Sequence, residues 1–138
     1  MWTVSGYDEA AVKAICGDCG SPVAKQSYNY FRRIAYVTGG KVWSKVWSKD
    51  GEPVAFYYAS RSRDHVRLIE IAVRSSHQGQ GLGRMVLFDL LAAMKEAGLY
   101  KLTFRTPMNE PAQHFWTHMG ARIVDVKQGD YEMEINIK

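Results

Sequence analysis

The clearest alternation in the chain is a tandem echo, Lys41-Val42-Trp43-Ser44 followed by Lys45-Val46-Trp47-Ser48. Polar and apolar residues alternate at period two, which predicts a strand with Trp43 and Trp47 on the same side. The echo is too short to be a solenoid repeat. Lys49-Asp50-Gly51-Glu52 supplies a turn with the Asp-Gly hairpin signal, and Val54 to Ala59 is the return strand. Val66 to Val73 is nearly continuous in apolar residues, the pattern of a central strand. After a glycine-rich turn, Leu82, Val86, Leu90, Ala93 and Ala97, joined by Leu87, Leu91 and Met94, form the wide apolar stripe of a helix that Gly98 closes. Leu99 to Thr106 is a strand closed by Pro107. Asn109 caps a helix with Pro111 in its first turn, and Gly120 ends it. Arg122 to Val126 and Tyr131 to Ile137 form a last hairpin around Gly129-Asp130. In it Tyr131, Met133, Ile135 and Ile137 alternate with Glu132, Glu134 and Asn136.

Residues 1–40 read as mostly helical. Ser5 with Asp8 resembles a capping box, and Ala10, Ala11, Ala14 and Ile15 support a short helix ended by Cys16-Gly17-Asp18-Cys19-Gly20. Ser21-Pro22 starts a second helix that runs to about Tyr36 and stops at Gly39-Gly40. The whole order is helix, helix, hairpin, strand, helix, strand, helix, hairpin. It describes one α/β domain over residues 1–138 around a mixed sheet, helical over 1–40 with a sheet core over 41–138.

Composition narrows the class. The 138 residues are 46% hydrophobic and 23% charged, which excludes a disordered chain, a collagen and a disulfide scaffold. No uncharged apolar run approaches the roughly 18 residues of a membrane span. Met1 to Val12 carries Asp8 and Glu9 and lacks the apolar core of a signal peptide. Two cysteines point to a reducing, cytoplasmic setting. The net charge is +4, unevenly spread. Residues 25–67 hold nine basic residues (Lys25, Arg32, Arg33, Lys41, Lys45, Lys49, Arg61, Arg63 and Arg67) against Asp50, Glu52 and Asp64. This stretch is either a solvated face or an attractor of anionic partners. No zinc-finger framework and no aromatic-rich strand of a single-strand RNA reader accompanies it, so nucleic acid is not the expected partner.

The most informative segment is Gln78-Gly79-Gln80-Gly81-Leu82-Gly83-Arg84, between a buried strand and a helix. Such a turn gathers backbone N–H groups at the positive end of a helix, where phosphate oxygens bind. Glycine at 79, 81 and 83 removes Cβ atoms that would hold a phosphate away. A tight strand-to-helix connection is the plainer reading of the same residues. A Walker loop would need Gly-Lys-Ser/Thr, which is missing. The dinucleotide fingerprint would need Gly or Ala where Arg84 stands.

Ile71-Ala72-Val73 followed by this turn resembles the acyl-coenzyme-A-binding signature of the GNAT superfamily of N-acetyltransferases. Its pattern, Arg/Gln-x-x-Gly-x-Gly/Ala, is met by Gln78, Gly81 and Gly83. The second family signature is similar to Asn109, Ala112, Phe115-Trp116 and Gly120-Ala121. The resemblance covers residues 41–138, and its wording is similar to the ribosomal-protein alanine acetyltransferases. That substrate is not carried over, because acceptor sites lie outside these motifs.

The resemblance implies a central, mixed, mostly antiparallel twisted sheet of about six or seven strands, with splayed central strands and about four flanking helices. The pantetheine arm would lie in the gap, held by backbone groups of Ile71, Ala72 and Val73. Gln78, with the N–H groups of Gly79, Gln80, Gly81, Leu82, Gly83 and Arg84, would take the pyrophosphate. Asn109 would bond the pantetheine region or simply cap its helix, and Phe115 and Trp116 would complete the coenzyme site. The implied function is transfer of acetyl from acetyl-coenzyme A to an amine of a small molecule or peptide, by direct attack in a ternary complex. No metal is expected, and a homodimer is compatible with the family. The amine must be neutral to attack. A lysine-like amine, with pKa about 10.4, gains more from a base than an α-amine at about 8.

Glu70 is the candidate base, since a carboxylate in an otherwise apolar strand must face a polar cleft or pair with a cation. A backbone N–H near Val73 would stabilise the oxyanion. The family usually places a tyrosine acid where Trp116 stands, and an indole N–H donates a hydrogen bond but is no useful acid. Tyr131 and Tyr58 are the substitutes. Otherwise water protonates the thiolate, or the domain is a non-catalytic acyl-coenzyme-A-binding or interaction module. Cys16-x-x-Cys19 and His114-x-x-x-His118 each have zinc-ligand spacing, but the halves lie at opposite ends of the chain and nothing local joins them.

Overall fold

Seven strands form one sheet in the computed structural model, which describes residues 1–19 and 41–137. In chain order the elements are β1 (Trp2–Ser5), α1 (Glu9–Cys19), β2 (Lys41–Lys49), β3 (Glu52–Arg61) and β4 (Val66–Val73). A short 3₁₀ turn (Ser75–His77) comes next, then α2 (Leu82–Glu96), β5 (Lys101–Pro107), α3 (Glu110–His118), β6 (Arg122–Lys127) and β7 (Asp130–Asn136). The strands lie in the order β1-β2-β3-β4-β5-β7-β6. Every neighbouring pair is antiparallel except β4 and β5, which the α2 crossover makes parallel. The β2–β3 and β6–β7 turns have positive φ at their two central residues, Asp50-Gly51 and Gln128-Gly129. That is the backbone twist two-residue hairpin loops favour. The second turn therefore sits one residue earlier than the Gly129-Asp130 pair the pattern suggested.

Two apolar clusters hold the sheet, one on each face. On the first face Val86, Leu87, Leu90 and Met94 of α2 and Trp116 of α3 pack on Tyr57, Leu68, Leu102, Phe104, Met133 and Ile135. On the second, Ala11, Val12, Ile15 and Cys16 of α1 pack on Val46, Phe56 and Tyr58. β3 is buried on both faces, and its alternate residues feed the two clusters. Trp43 and Trp47 share the first face, as their spacing requires, and the Arg61 guanidinium lies 5.6 Å over the Trp43 ring.

The N-terminal reading needs correction. Trp2–Ser5 is a strand, paired with β2 through Trp2–Lys49 to Ser5–Val46, and not the lead-in to a helix. α1 is capped by Asp8, whose Oδ1 accepts the Ala11 N–H at 3.1 Å, while the Ser5 hydroxyl donates to the Gly6 carbonyl. The second helix read over Ser21 to Tyr36 lies outside the described residues. Among the described residues there are three α-helices, against about four expected, and none is long and apolar enough to cross a membrane.

β4 is irregular in two ways. It pairs with β5 only at Val66–Leu102 and Arg67–Thr103, and beyond these the two strands part. It also carries an extra residue against β3: Tyr58 faces Glu70 while Ala59 faces Leu68, leaving Ile69 unmatched. A bulge of this kind shifts the parity of the strand. Leu68 faces the first cluster and Ile69 the second. After the bulge Ala72 packs on the second face, while Ile71 and Val73 pack on the first.

Candidate active site

Past the last β4–β5 pair, the end of β4, the glycine turn, the start of α2 and α3 enclose a cleft of about 1420 Å³. Its walls include Glu70, Ile71, Ala72 and Val73 from β4, and Gln78, Gly79, Gly81, Leu82, Gly83 and Arg84 from the turn and α2. Asn109, Phe115 and Trp116 contribute from α3. The cleft thus holds thirteen of the sixteen candidate residues picked from the sequence; Tyr58, Gln80 and Tyr131 are not among its walls.

The turn is pinned at its base. The Arg74 N–H donates to the Val54 carbonyl at 2.7 Å, and Arg74 Nε donates to the Pro53 carbonyl at 2.9 Å. Gln78 Nε2 reaches back to the Val73 carbonyl at 2.9 Å. Ser75 donates both its N–H and its hydroxyl to Asp18 Oδ2, each at 2.7 Å. These bonds, with the Arg74 charge nearby, hold the Asp18 carboxyl below its ordinary range.

Above that base, Gly79 and Gly81 both take positive φ, 79° and 80°. Gly81 is the N-cap of α2, and no side chain caps the helix. Its carbonyl accepts the Met85 N–H at 3.0 Å. The N–H groups of Leu82, Gly83 and Arg84 are the first-turn donors that have no carbonyl partner within their own helix. They stand at the positive end of a 15-residue helix. Gly83 is a different case: a Cβ there would lie 3.8 Å from Phe115 Cζ and from Val73 Cγ2, ordinary contact distances. Glycine is demanded by backbone conformation at 79 and 81, and neither by conformation nor by space at 83.

The aromatic floor of the cleft belongs to the core. Trp116 is 6% exposed, with its ring 4.0 Å from Phe104 and 5.0 Å from Phe115. Asn109 Oδ1 accepts the Ala112 N–H at 2.9 Å, so the capping role occupies its oxygen while the residue also lines the cleft.

Glu70 is half-buried, and its Oε1 accepts the N–H of Ile71 at 3.1 Å. Arg67 makes a two-pronged pair with Glu132, and Arg74 approaches Glu52 at 3.5 Å. Tyr58 stands opposite Glu70 in the β3–β4 ladder, 3% exposed, edge-on to Tyr7 at 5.4 Å. Tyr131 lies on β7 opposite Thr106 and Val126, packed against the first cluster.

His77, Pro111, Ala112, His114, Thr117, His118 and Met119 also line the cleft. The helical spacing of His114 and His118 suits zinc ligands in sequence, and it equally puts both on the face of α3 that borders a groove. Cys16 is buried under α1, and the Cys19 side chain lies outside the described residues. Among the described residues no group of three or more His, Cys, Asp and Glu is arranged to hold a metal ion. Of the basic stretch, Lys25, Arg32 and Arg33 lie outside the described residues. Lys45 is paired with Asp89 at 2.9 Å and Arg67 with Glu132, so these two charges are largely neutralised locally.

The model of the acetyltransferase (GNAT) family matches residues 10–121. Among solved structures, a ribosomal-protein-alanine N-acetyltransferase from Escherichia coli is similar at 20% identity and TM-score 0.78, over 100% of this chain and 95% of that one. PaiA N-acetyltransferase from Thermoplasma acidophilum, solved with coenzyme A, is similar at 11% identity and TM-score 0.79, over 99% of each chain. A GNAT acetyltransferase from Elizabethkingia anophelis with acetyl-coenzyme A bound is similar at 14% identity and TM-score 0.73, over 98% of this chain and 97% of that one. At these identities the likeness is one of fold.

Proposed function

The chain belongs to the GNAT family of acetyltransferases, and we propose that it moves an acetyl group from acetyl-coenzyme A to an amine of a small molecule or peptide, with donor and acceptor bound together. The observation that carries this reading is the start of α2: a helix without a capping side chain, behind two left-handed glycines, beside a strand edge that β5 has left. The N–H groups from Gly79 to Arg84 suit a pyrophosphate. The backbone of Ile71 to Val73, beyond the last β4–β5 pair, suits the amides of a pantetheine arm, as a strand edge suits an added strand. Phe115 and Trp116 form the apolar wall. When bound, the thioester supplies the activated acyl group.

This chain's own residues then have three tasks. Glu70 takes a proton from the incoming amine. A backbone N–H of β4 near Val73 steadies the acyl oxygen as it gains charge. The departing thiol has an ordinary pKa of about 8.5 and needs only modest help. Trp116 can donate a hydrogen bond to it but cannot protonate it. Tyr131→Phe and Tyr58→Phe test the two hydroxyls considered in its place. Glu70 lies opposite Tyr58, a residue of the α1-side cluster, whereas Ile71 and Val73 pack on the α2 and α3 side. Glu70 and the coenzyme-binding edge of β4 line the same cleft, which suits donor and acceptor bound together and favours a ternary complex over a relay through an acyl-enzyme. A cytoplasmic setting is part of the reading and rests on the two cysteines.

The test is calorimetric titration of acetyl-coenzyme A into the parent and into Gly81→Asp, then thiol release with a panel of amines. Binding by the parent, its loss in the variant, and amine-dependent thiol release are the expected results. A parent that takes up no acetyl-coenzyme A refutes the proposal and leaves the turn as a plain connection.

A further inference from the structure

The 3₁₀ turn at Ser75–His77 has Arg74 at its N-cap and no capping side chain of its own. The Ser75 N–H at its start is the kind of donor that helical turns leave unmatched. It is supplied from another element. Asp18, in the last turn of α1 and 57 residues away, accepts that N–H and the Ser75 hydroxyl on one carboxylate oxygen. Bonds to an ionised carboxylate are the stronger class. The other three anchors, Arg74 to Val54 and to Pro53 and Gln78 to Val73, come from strands of the sheet. Asp18 alone, among the described residues bonded to this segment, ties it to α1 on the opposite face. Rotation of the short turn about its sheet anchors would swing Gln78 and the two left-handed glycines, and with them the first-turn donors of α2.

We propose that Asp18 is a positioning residue for the phosphate-binding turn: it caps Ser75 from α1 and thereby sets the direction in which the N–H groups of Gly79 to Arg84 point. The proposal rests on the coenzyme reading and adds a residue that touches neither coenzyme nor acceptor. It also makes α1 a contributor to coenzyme affinity.

The variants are Asp18→Ala, Asp18→Asn, Ser75→Ala and the double Asp18→Ala/Ser75→Ala. Calorimetry gives the Kd for acetyl-coenzyme A, and amide hydrogen exchange reports on residues 74–84 in the ligand-free protein. Asp18→Ala is expected to weaken binding about fivefold, the upper range for an exposed charged contact. Exchange should quicken from Ser75 to Arg84 while the amides of Leu87 to Met94 keep their protection. Asp18→Asn retains an acceptor oxygen and should recover part of the affinity. The double variant should be no worse than Asp18→Ala, because both substitutions break one interaction. An unchanged Kd in Asp18→Ala overturns the proposal, even if the melting temperature falls. So does unchanged exchange in the turn. A parent that fails to bind sinks the coenzyme reading and this proposal with it. A parent that binds beside an unaltered Asp18→Ala sinks this proposal alone.

Discussion

Alanine at Gly81 and alanine at Gly83 should move stability in opposite directions, although both glycines belong to the same motif. Gly81 sits at φ 80° and ψ 9°, and a Cβ placed on it would meet nothing within 4 Å. The cost of Gly81→Ala is therefore conformational and not steric. An L-residue held in the left-handed region loses about 1–2 kcal/mol. For a domain of this size that is a fall of about 3–6 °C in melting temperature. Gly83 lies inside the first turn of α2 without a positive φ, and its added methyl would rest at 3.8 Å from Phe115 and Val73. Alanine there narrows the unfolded ensemble without straining the native one, and should stabilise by about 0.4–1 kcal/mol. Thermal unfolding of the ligand-free variants, followed by circular dichroism, reads both. The sign difference is the decisive quantity. If Gly83→Ala destabilises as much as Gly81→Ala, the assignment of different roles is wrong. If Gly81→Ala is neutral, the left-handed N-cap is not what that glycine is for, and room for a ligand becomes its sole reason.

Glu70→Gln keeps an oxygen able to accept the Ile71 N–H. It should leave acetyl-coenzyme A affinity unchanged and lower turnover by about a hundredfold or more; unaltered turnover would remove Glu70 as the base. Trp116→Ala should cost about 3–5 kcal/mol through loss of a buried aromatic stacked on Phe104. Trp116→Tyr should cost far less and raise turnover by adding an acid, and a slower Tyr variant would show that the indole is itself suited to the reaction. Burial, assisted by the Asp89 charge, pushes the Tyr57 hydroxyl up to about 12. Its folded value exceeds its unfolded value near 10, so its contribution to stability is complete below pH 10 and is lost as pH rises toward 12. A phenolate absorbance titration should show a late component that Tyr57→Phe removes, and a curve unchanged by that substitution would contradict the burial argument.

Much of the sheet was legible from residue 41 onward because its periodicities are clean. The Lys-Val-Trp-Ser echo, the apolar stripe of α2 and the alternation of β7 each have one period that fits. Trp2–Ser5 was missed because a four-residue edge strand with every residue exposed shows no buried face to read, although Trp, Thr and Val favour strands. Asp18 gave no signal as a partner of Ser75, since capping between distant elements leaves no local spacing. His114 and His118 were visible as a pair, but a pair on a helix face does not say what the helix borders.

The bulge at Ile69 is the feature that sequence periodicity could not reach, and it sets which way the β4 residues of the cleft wall face. Leu68 to Val73 is apolar at every position but Glu70, so an alternation of faces cannot be traced through it. A regular strand would put Glu70 on the same face as Leu68, among the residues that pack on α2 and α3, with Ile71 and Val73 turned toward α1. The extra residue reverses both assignments. It sets the single carboxylate of the strand opposite Tyr58 on the α1 side, and it gives the α2 and α3 side a smooth wall of Ile71 and Val73 backed by Phe115. On the proposed reading, the bulge thereby turns the candidate base and the candidate acyl-binding wall to opposite faces of β4 at neighbouring positions of one cleft.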